Sequence, residues 1–489
     1  MSTFTSTFRR RPPESSPDDG RPVRVLVVTD YYPPFIGGAQ IQTQRLARGL
    51  ARRGYDVVVV TVGQPGLPRL ENDNGIPVHR LRHLHPITRR TRSAQTHHAP
   101  FPDPLVALAL TRLIRRFRPD VVQSYGWITY SCAAALLGRS TPLLVTARDY
   151  GYGCANRTLL RDGRQCNGPV FSKCLACAAR NYGYPKGWFA ALGVFVSRTL
   201  LRRKATALHA VSSYVDQTLQ RDVAHGRIPS YVIHDSVADP RLGQDDPIVD
   251  EGLRPWTDRL PERPYILFVG ALREVKGVTH LLDAYRRLHD PPPLVLIGTV
   301  ERDGPAELPE GIVFIEDAPH ALMPVAWDRS LFGVLPSLFP EPFGTVVVEA
   351  MSRGKAVIGT APGGHVDLLE DGATGLLVPP GDVDALVAAM RRLLADEHLR
   401  VALGDSARRR AEDFSADATL PRLERLLLML AGGDNGSADV ADRPVARNAT
   451  LPLGNSEAPK STYGGTSAPS VGPASIAGEP RRVDSKVEK

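Results

Sequence analysis

The sequence predicts an α/β protein built from two Rossmann-like domains with parallel sheets. Three observations predict this fold. The chain has 489 residues, 42% of them hydrophobic, which is enough for two globular domains with tails. Short β-branched apolar runs alternate with helical patterns, as is typical of sheets built from βαβ units. The alternation starts twice, at residues 23–29 (VRVLVVT) and again at residues 265–269 (YILFV).

The first half opens with one βαβ unit. Residues 23–29 are predicted to form a buried strand, a loop with Gly37-Gly38 follows, a helix covers residues 40–53 and a strand covers residues 57–61. The same alternation predicts helices at residues 105–118 and 215–221 and strands at residues 120–123, 143–146, 208–212 and 231–234.

The second half repeats the pattern after a segment rich in Pro, Asp and Gly, which is predicted to be a linker. Strands are expected at residues 265–269, 294–297, 313–315, 333–335, 357–359 and 375–378, and helices through residues 281–285 and at residues 382–394, 401–411 and 420–430. The predicted boundaries are 23–240 for the first domain, 241–262 for the linker, 263–415 for the second domain and 416–431 for a closing helix. Residues 1–22 and 432–489 are predicted to be disordered tails.

The stretch from residue 335 to residue 381 carries the clearest functional signal. Glu341 and Glu349 stand eight positions apart, with Pro-Phe-Gly directly after the first. A helix that begins near Gly344 presents free N–H groups beside Glu341, and such a helix N-terminus is an anion site. In such a site the backbone amides would hold phosphate, and the carboxylate on each side would hold hydroxyls. This combination suits a sugar nucleotide. An ordinary amphipathic helix with two solvated glutamates is the alternative, and the glycines and prolines favour the site.

Two strand–helix junctions carry residues suited to phosphate. Gly37-Gly38 follows the first strand, so its backbone can approach a phosphate closely. Lys276 lies at the corresponding junction of the second half, where a lysine can reach a diphosphate. A plain loop turn and a surface lysine are the respective alternatives.

Four of the five cysteines lie within 24 residues, in an irregular insert at residues 148–185. Cys154, Cys166, Cys174 and Cys177 have the spacing C-x11-C-x7-C-x2-C. Cytoplasmic proteins rarely keep disulfides, and four thiolates suit a closed tetrahedral zinc site. Structural zinc is the favoured interpretation. Free or redox-linked thiols and an iron–sulfur cluster are the alternatives.

Charge is distributed unevenly along the chain. Residues 1–242 contain 34 Lys and Arg against 15 Asp and Glu, a net charge of +19, whereas the remainder carries −11. A basic half predicts an anionic partner, either nucleic acid, an anionic membrane or a phosphorylated lipid. No nucleic-acid-binding motif is present, which disfavours the first. Arginine enrichment in a high-GC genome is the alternative explanation.

The sequence also bears on location. No apolar run reaches the roughly 18 residues of a membrane span, and residues 1–20 lack the apolar core of a secretory signal. We therefore expect a cytoplasmic protein, with peripheral contact at the inner face of the membrane. Residues 188–204 (WFAALGVFVSRTLLRRK) are apolar with a basic end. They fit a core helix, which is favoured, or a helix that lies on a membrane.

Four features, in order, resemble the retaining glycosyltransferases of family 4, which have the GT-B fold of two facing Rossmann-like domains. The resemblance covers about residues 23–430, and its most specific feature is the E-x7-E pair with Pro-Phe-Gly. The four features are the Gly37-Gly38 loop, Gly270-x-Leu272-x3-Lys276-Gly277, the Glu341/Glu349 pair, and Gly363-Gly364 before an acidic residue.

The resemblance implies that a nucleotide sugar binds in the cleft between the domains. Glu349 is expected to bind the ribose hydroxyls. Glu341 is expected to face the donor sugar, with the amides of Phe343 and Gly344 nearby.

The resemblance also implies how the diphosphate is held and how transfer occurs. Lys276 is expected to neutralise the diphosphate, and Gly37 and Gly38 to lie against the phosphates from across the cleft. No divalent ion or cofactor is expected to be required, because basic side chains and a helix N-terminus replace it. Front-face attack is expected to retain the anomeric configuration without a protein nucleophile. The implied function is transfer of a hexose to a carbohydrate or lipid-linked acceptor, in surface polysaccharide or glycolipid synthesis.

Three residues depart from the family pattern. Ala271 stands where arginine is usual, and Arg273 is expected to replace that arginine at the donor. Arg148 stands where histidine is usual before Asp149, and it is expected to bind sugar or phosphate as a catalytic candidate. Asp367 replaces glutamate after Gly-Gly.

Two other functions remain compatible with the sequence. One is a GT-B sugar-nucleotide epimerase, which needs no acceptor. The other is a non-catalytic nucleotide-sugar-binding protein, which the departures at Ala271 and Arg148 would suit. An NAD-dependent oxidoreductase is disfavoured, because no G-x-G-x-x-G motif follows either opening strand.

Overall fold

The structure is a computed structural model of the 489-residue chain. It describes residues 21–34, 38–84, 87–88, 96–237, 247–301, 303–305 and 307–432. Gly37, residues 241–246 of the predicted linker, and the predicted tails apart from residues 21, 22 and 432 lie outside the described residues.

The N-terminal lobe comprises the described elements up to residue 237. Its strands are β1 (Arg24–Thr29), β2 (Asp56–Val62), β3 (Leu70–Asp73), β4 (Ile76–Leu81), β5 (Ile87–Thr88), β6 (Thr96–His97), β7 (Val121–Tyr125), β8 (Leu143–Ala147), β9 (Leu160–Arg161), β10 (Arg164–Gln165), β11 (Ala207–Ala210) and β12 (Ser230–Val232). Its helices are α1 (Gly38–Arg52), α2 (Pro104–Phe117), α3 (Ile128–Ala135), α4 (Phe171–Tyr182), α5 (Lys186–Lys204) and α6 (Ser213–Leu219).

Eight of these strands form one sheet in the order β12-β11-β8-β7-β1-β2-β4-β3. Its neighbours pair in parallel, except that β3 and β4 form an antiparallel hairpin at one edge. The central strand β1 (RVLVVT) is buried from its second residue to its last. Burial on both faces explains why it reads as a continuous apolar run in the sequence.

The C-terminal lobe comprises the described elements from residue 247 onwards. Its strands are β13 (Tyr265–Val269), β14 (Leu294–Gly298), β15 (Val313–Glu316), β16 (Ser330–Val334), β17 (Ala356–Thr360) and β18 (Leu376–Val378). Its helices are α7 (Pro247–Thr257), α8 (Val278–Arg286), α9 (Met323–Arg329), α10 (Thr345–Ser352), α11 (His365–Leu368), α12 (Val383–Ala395), α13 (Glu397–Ala411) and α14 (Ala416–Leu430).

The C-terminal sheet is parallel throughout, in the order β15-β14-β13-β16-β17-β18. The strand order reverses beside β13, as it does beside β1 in the other lobe. In open α/β sheets, ligands bind outside the carboxyl ends of the strands at such a switch point. The predicted pair of Rossmann-like folds with parallel sheets is therefore confirmed, and both sheets belong to one compact unit.

Helix α14 returns from the C-terminal lobe to the N-terminal lobe. Its buried leucines join one hydrophobic cluster with residues of β1 and helix α1; they are Leu423, Leu426 and Leu427. Gly49 of α1 allows this approach, because a Cβ there would lie 2.7 Å from a methyl group of Leu420. The closing helix predicted from the sequence thus completes the core of the first lobe.

Several elements differ from the sequence prediction. The hairpin of β3 and β4 was not predicted, because β3 (LEND) carries no apolar alternation. Helix α7 occupies part of the segment predicted to be a linker, where two prolines and three charged residues obscure the apolar pattern. The insert predicted to be irregular contains helix α4. The predicted domain boundaries remain predictions.

Helix α5 has features of both interpretations of residues 188–204, the core helix and the helix that lies on a membrane. Ala190, Ala191, Val194 and Leu201 are buried, as a core helix requires, whereas one side of the helix is exposed. No helix in the part of the chain that the structure describes is both long and apolar enough to cross a membrane.

The position of α14 predicts a stability effect. We expect Leu427→Ala to lower the free energy of unfolding by about 2–5 kcal/mol, because it opens a cavity in the N-terminal core. Arg425→Ala on the exposed side of α14 is the control and should change stability by less than about 0.5 kcal/mol. Urea titration measures both values. Equal stability of the two variants would contradict the packing of α14 described above.

Candidate functional site

Helix α10 begins at Thr345, directly after its cap Gly344 and close to the predicted start, at the carboxyl end of the C-terminal sheet. Gly344 has a φ of 105° and caps the helix without a side-chain hydrogen bond. A Cβ at this position would lie 2.7 Å from the ring of His365, so only glycine fits. The first amides of α10 are therefore left to bind an anion rather than a capping side chain.

Glu341 is buried directly before this helix. Lys276 Nζ lies 2.6 Å from its Oε1, and the hydroxyl of Ser337 donates to the same oxygen at 2.5 Å. Burial acts to raise the pKa of the Glu341 carboxyl, but Lys276, His365 and Ser337 outweigh it and hold the pKa below its usual value. Glu341 is thus a carboxylate at neutral pH, suited to accept hydrogen bonds rather than to donate a proton.

His365 was not singled out in the sequence. Burial lowers its pKa to about 4, so the ring is neutral at pH 7. Its Nδ1 accepts the backbone N–H of Thr360 at 3.1 Å, which assigns the remaining proton to Nε2. That nitrogen lies beside Gly344 at the start of α10. The only signal in the sequence is its position next to Gly363-Gly364.

Gly363 and Gly364 pack against the backbone that carries Glu341. A Cβ on Gly363 would lie 2.8 Å from the amide nitrogen of Glu341, and a Cβ on Gly364 would lie 2.5 Å from the carbonyl oxygen of Pro342. Gly364 N–H also donates to the carbonyl of Glu341 at 2.6 Å. The glycine pair therefore shapes the loop of residues 340–343.

Glu349 lies one turn further along α10 and pairs with His320. His320 Nε2 is 3.0 Å from Glu349 Oε1, and this hydrogen bond raises the pKa of His320. Arg45 of α1 comes close from the N-terminal lobe. Burial lowers the pKa of Arg45, while the charges of Glu349 and Asp235 act in the opposite direction. His320 and Arg45 were both missed in the sequence, because they lie far from Glu349 along the chain.

The other residues predicted to contact phosphate, and the glycine beside Lys276, lie in three separate settings. Gly277, with a φ of 72°, lets the turn at Lys276 approach Pro336, whose carbonyl oxygen would be 1.9 Å from a Cβ. Arg273 pairs with Asp303 at 3.1 Å. Gly38 begins α1, with open space where a Cβ would point.

Arg148 does not reach toward Glu341. Its Nε lies 2.9 Å from Asp235, its Nη1 donates to Thr43 at 3.3 Å, and its side chain is only 6% exposed. It also lies over the ring of Tyr125. A role at the donor sugar requires Arg148 to leave Asp235, so that role stays a prediction.

Three contacts join the lobes next to the site. The hydroxyl of Tyr150 donates to the carbonyl of Pro340 at 2.9 Å. Asp367 accepts the backbone N–H of Ser213 at 2.7 Å and lies 3.1 Å from Nε2 of His234. The loop that follows Arg148 therefore contacts the C-terminal lobe at Pro340, and Asp367 contacts the N-terminal lobe at Ser213 and His234.

The four clustered cysteines are free thiols. Asn156 Nδ2 donates to Cys177 Sγ at 3.1 Å. Burial raises the pKa of Cys154 to about 11, although three backbone N–H groups act to lower it. Among the described residues, which include all four cysteines, no group of three or more His, Cys, Asp or Glu is arranged to hold a metal ion. The geometry thus gives the predicted zinc site no support.

Two family models match the chain. Residues 37–228 match the glycosyl transferase 4-like domain, and residues 254–410 match glycosyl transferases group 1. One relative is the 2-deoxystreptamine N-acetyl-D-glucosaminyltransferase of Streptomyces fradiae. It is 28% identical over 431 residues, which cover 82% of this chain and 93% of the relative.

Solved structures agree with this assignment at the level of the fold. Sucrose-phosphate synthase from Thermosynechococcus elongatus superposes with a TM-score of 0.65 at 22% identity, covering 84% of this chain and all of the other. HepE of Anabaena in complex with UDP-glucose gives 0.58 at 18% identity, with 83% and 99% covered. The chain therefore belongs to the glycosyltransferase family that joins a 4-like domain to a group 1 domain, and it is a glycosyltransferase of the GT-B fold.

Proposed function

We propose that this glycosyltransferase moves a hexose, with retention of configuration, from a nucleoside-diphosphate sugar to a carbohydrate or lipid-linked acceptor. The observation that carries the proposal is the ion pair of Lys276 and Glu341 at the free N-terminus of α10. It places a cation, a carboxylate and unpaired backbone amides within one small region. A diphosphate attached to a sugar needs that combination of groups.

The donor would lie along the start of α10. The amides of Phe343 and Gly344, together with Lys276, would hold the diphosphate. Glu341 would accept hydrogen bonds from hydroxyls of the donor sugar. The ribose hydroxyls would reach Glu349 by displacing His320, which occupies that carboxylate in the structure. HepE of Anabaena, whose fold is similar, was solved with UDP-glucose, which supports this class of donor.

Transfer would then proceed by front-face attack, as the family resemblance implies. The bond between the anomeric carbon and the phosphate oxygen breaks, and the acceptor oxygen bonds to the same face of that carbon. The proton of the acceptor passes to the departing phosphate oxygen. Lys276 and the α10 amides stabilise the negative charge that develops on the diphosphate, and the protein otherwise positions the reactants.

Residues outside this core keep proposed roles. Gly37 and Gly38 would face the phosphates from the N-terminal lobe, and the open space at Gly38 supports this. Arg273 would contact the donor after releasing Asp303. Arg148 would contact the sugar after releasing Asp235, or it positions the adjacent loop that meets Pro340.

The acceptor is proposed to be anionic or lipid-linked, in surface polysaccharide or glycolipid synthesis at the cytoplasmic side of a membrane. The net charge of +19 on residues 1–242 supports an anionic partner. The deciding experiment is a screen of purified protein against a panel of nucleotide sugars, following slow donor hydrolysis and nucleoside-diphosphate binding. Conversion of a donor to an epimer without acceptor, or binding without any hydrolysis or transfer, would contradict the proposal.

Substitution of Glu349 and of Glu341 should affect different steps, binding and transfer respectively. We expect Glu349→Ala to weaken nucleoside-diphosphate binding about 10- to 100-fold, because charged hydrogen bonds to the ribose are lost. Glu341→Ala should mainly slow transfer, by about 100-fold. Calorimetry and initial rates measure the two effects, with the exposed Glu397→Ala as control. Wild-type transfer rates in both variants would refute the site assignment.

The pH profile should depend on Lys276. Because Lys276 helps to hold the pKa of Glu341 below its usual value, the Glu341 carboxylate loses its proton early, and the acid limb of the rate lies at low pH. In Lys276→Gln, burial remains while the charge is removed, so the pKa of Glu341 rises and the acid limb moves to higher pH. Donor hydrolysis against pH measures this, with the surface variant Lys186→Gln as control. An unmoved acid limb would show that Glu341 does not titrate in that limb.

Structural zinc at Cys154, Cys166, Cys174 and Cys177 remains a proposal supported only by their spacing in the sequence. If it is correct, purified protein with intact thiols should contain about one equivalent of zinc, and a chelator should destabilise it. Metal analysis that finds less than about 0.2 equivalents would exclude the site.

A further inference from the structure

The hairpin of helices α4 and α5 exposes an unusual amount of apolar surface. Of the fourteen large hydrophobic side chains that are exposed among the described residues, seven lie between residues 170 and 196. We name this surface the apolar face; it consists of Val170, Phe171, Tyr184, Trp188, Phe189, Leu192 and Val196.

Helix α5 is apolar on both of its sides. Its inner side packs into the lobe, as described above, yet Phe189 and Val196 on the outer side are 61% and 60% exposed. Phe189, Leu192 and Val196 follow at intervals of three and four residues, so they form one stripe. A surface helix in water normally turns charged and polar residues outward, and a contiguous apolar patch marks a contact surface.

The apolar face is held by tight packing. A Cβ on Gly187 would lie 2.3 Å from the carbonyl oxygen of Ala178, so α4 and α5 approach closely there. The rings of Tyr184 and Trp188 lie 4.5 Å apart, and those of Phe171 and Phe195 lie 5.3 Å apart. The aromatic side chains are therefore presented by a preformed hairpin.

The charge around the apolar face has one sign. Residues 163–215 contain eight Lys and Arg and no Asp or Glu. Lys186 and Arg203 are exposed near the two ends of the stripe. Phe189 and Arg203 lie about 21 Å apart along the helix. Arg180, by contrast, pairs with Asp162. Apolar and aromatic residues between cations are complementary to a bilayer with anionic headgroups.

We propose that the apolar face docks on an anionic lipid bilayer. Trp188, Phe189, Leu192 and Val196 enter the boundary between headgroups and acyl chains, and Lys186 and Arg203 contact the headgroups. A second copy of the chain is the alternative occupant, which the test distinguishes from a bilayer.

The docked surface is connected to the cleft. At the end of α4, the hydroxyl of Tyr182 donates to the carbonyl of Ala155 at 2.8 Å. Two residues on, Arg157 pairs with Asp30 at 3.1 Å and with Asp149 at 3.5 Å. The next residue, Tyr150, contacts Pro340. One segment thus supplies both the docking surface and the loop beside the site, which would bring a lipid-linked acceptor to the enzyme. Delivery of a lipid-linked acceptor rests on the proposed function, whereas docking on the bilayer does not.

The test is sedimentation of the full chain with vesicles, either neutral phosphatidylcholine or the same lipid with a third of phosphatidylglycerol. We expect binding to the anionic vesicles and a blue shift of Trp188 fluorescence. The double variant Phe189→Ser, Leu192→Ser should bind at least about tenfold more weakly. Lys186→Gln and Arg203→Gln should each weaken binding about fivefold. The control is Leu137→Ser with Val401→Ser, which removes exposed apolar residues elsewhere and should bind as wild type.

Several outcomes would overturn the proposal. They are no binding to either vesicle, equal binding to both, or wild-type binding by the double variant. If the molecular mass in solution rises with protein concentration for the wild type but not for the double variant, the apolar face instead binds a second copy of the chain. Donor hydrolysis is measured on the same variants and should be unchanged, so failure of membrane docking and failure of the transferase proposal are distinguishable.

Discussion

The ion pair between Lys276 and Glu341 is the interaction on which the site depends. A buried carboxylate is strongly unfavourable without a partner, whereas a well hydrogen-bonded pair can be accommodated. Lys276 follows β13 and Glu341 follows β16, and these strands are neighbours in the sheet. The pair therefore joins two adjacent strand ends at the switch point. It also keeps a negative and a positive group side by side, so that a phosphate can approach one and sugar hydroxyls the other.

Backbone approach explains much of the surrounding sequence. The turn at Gly277 lies against Pro336, Gly363 and Gly364 lie against residues 340–342, and Gly344 lies against His365. Each contact is too close for a side chain. The glycines of the motif therefore hold the loop around Glu341 in place, and the exposed amides of α10 are one result of that packing.

The sequence predicted what depends on local pattern. Buried strands such as β1 and β13 are continuous apolar runs, and Gly344 marked the start of α10. Contacts between distant residues could not be predicted this way. Arg148 looked available for a ligand because Asp235, its partner, lies 87 positions away. Likewise His320 occupies Glu349, and Arg45 approaches it from the other lobe. The polar strand β3 was missed because it has no apolar alternation. Helix α7 was missed because its prolines and charged residues resemble the composition of a linker.

The return of α14 to the N-terminal lobe bears on how the chain is made. Leu423, Leu426 and Leu427 complete a core whose other members lie mostly before residue 234. During synthesis, the first sheet leaves the ribosome long before these leucines, so its outer apolar surface stays uncovered while the whole second lobe is translated. Domains generally fold as they emerge, and uncovered apolar surface promotes aggregation. The core of the N-terminal lobe is therefore complete only after α14 has been released, so this lobe depends on residues that are made after the whole second sheet.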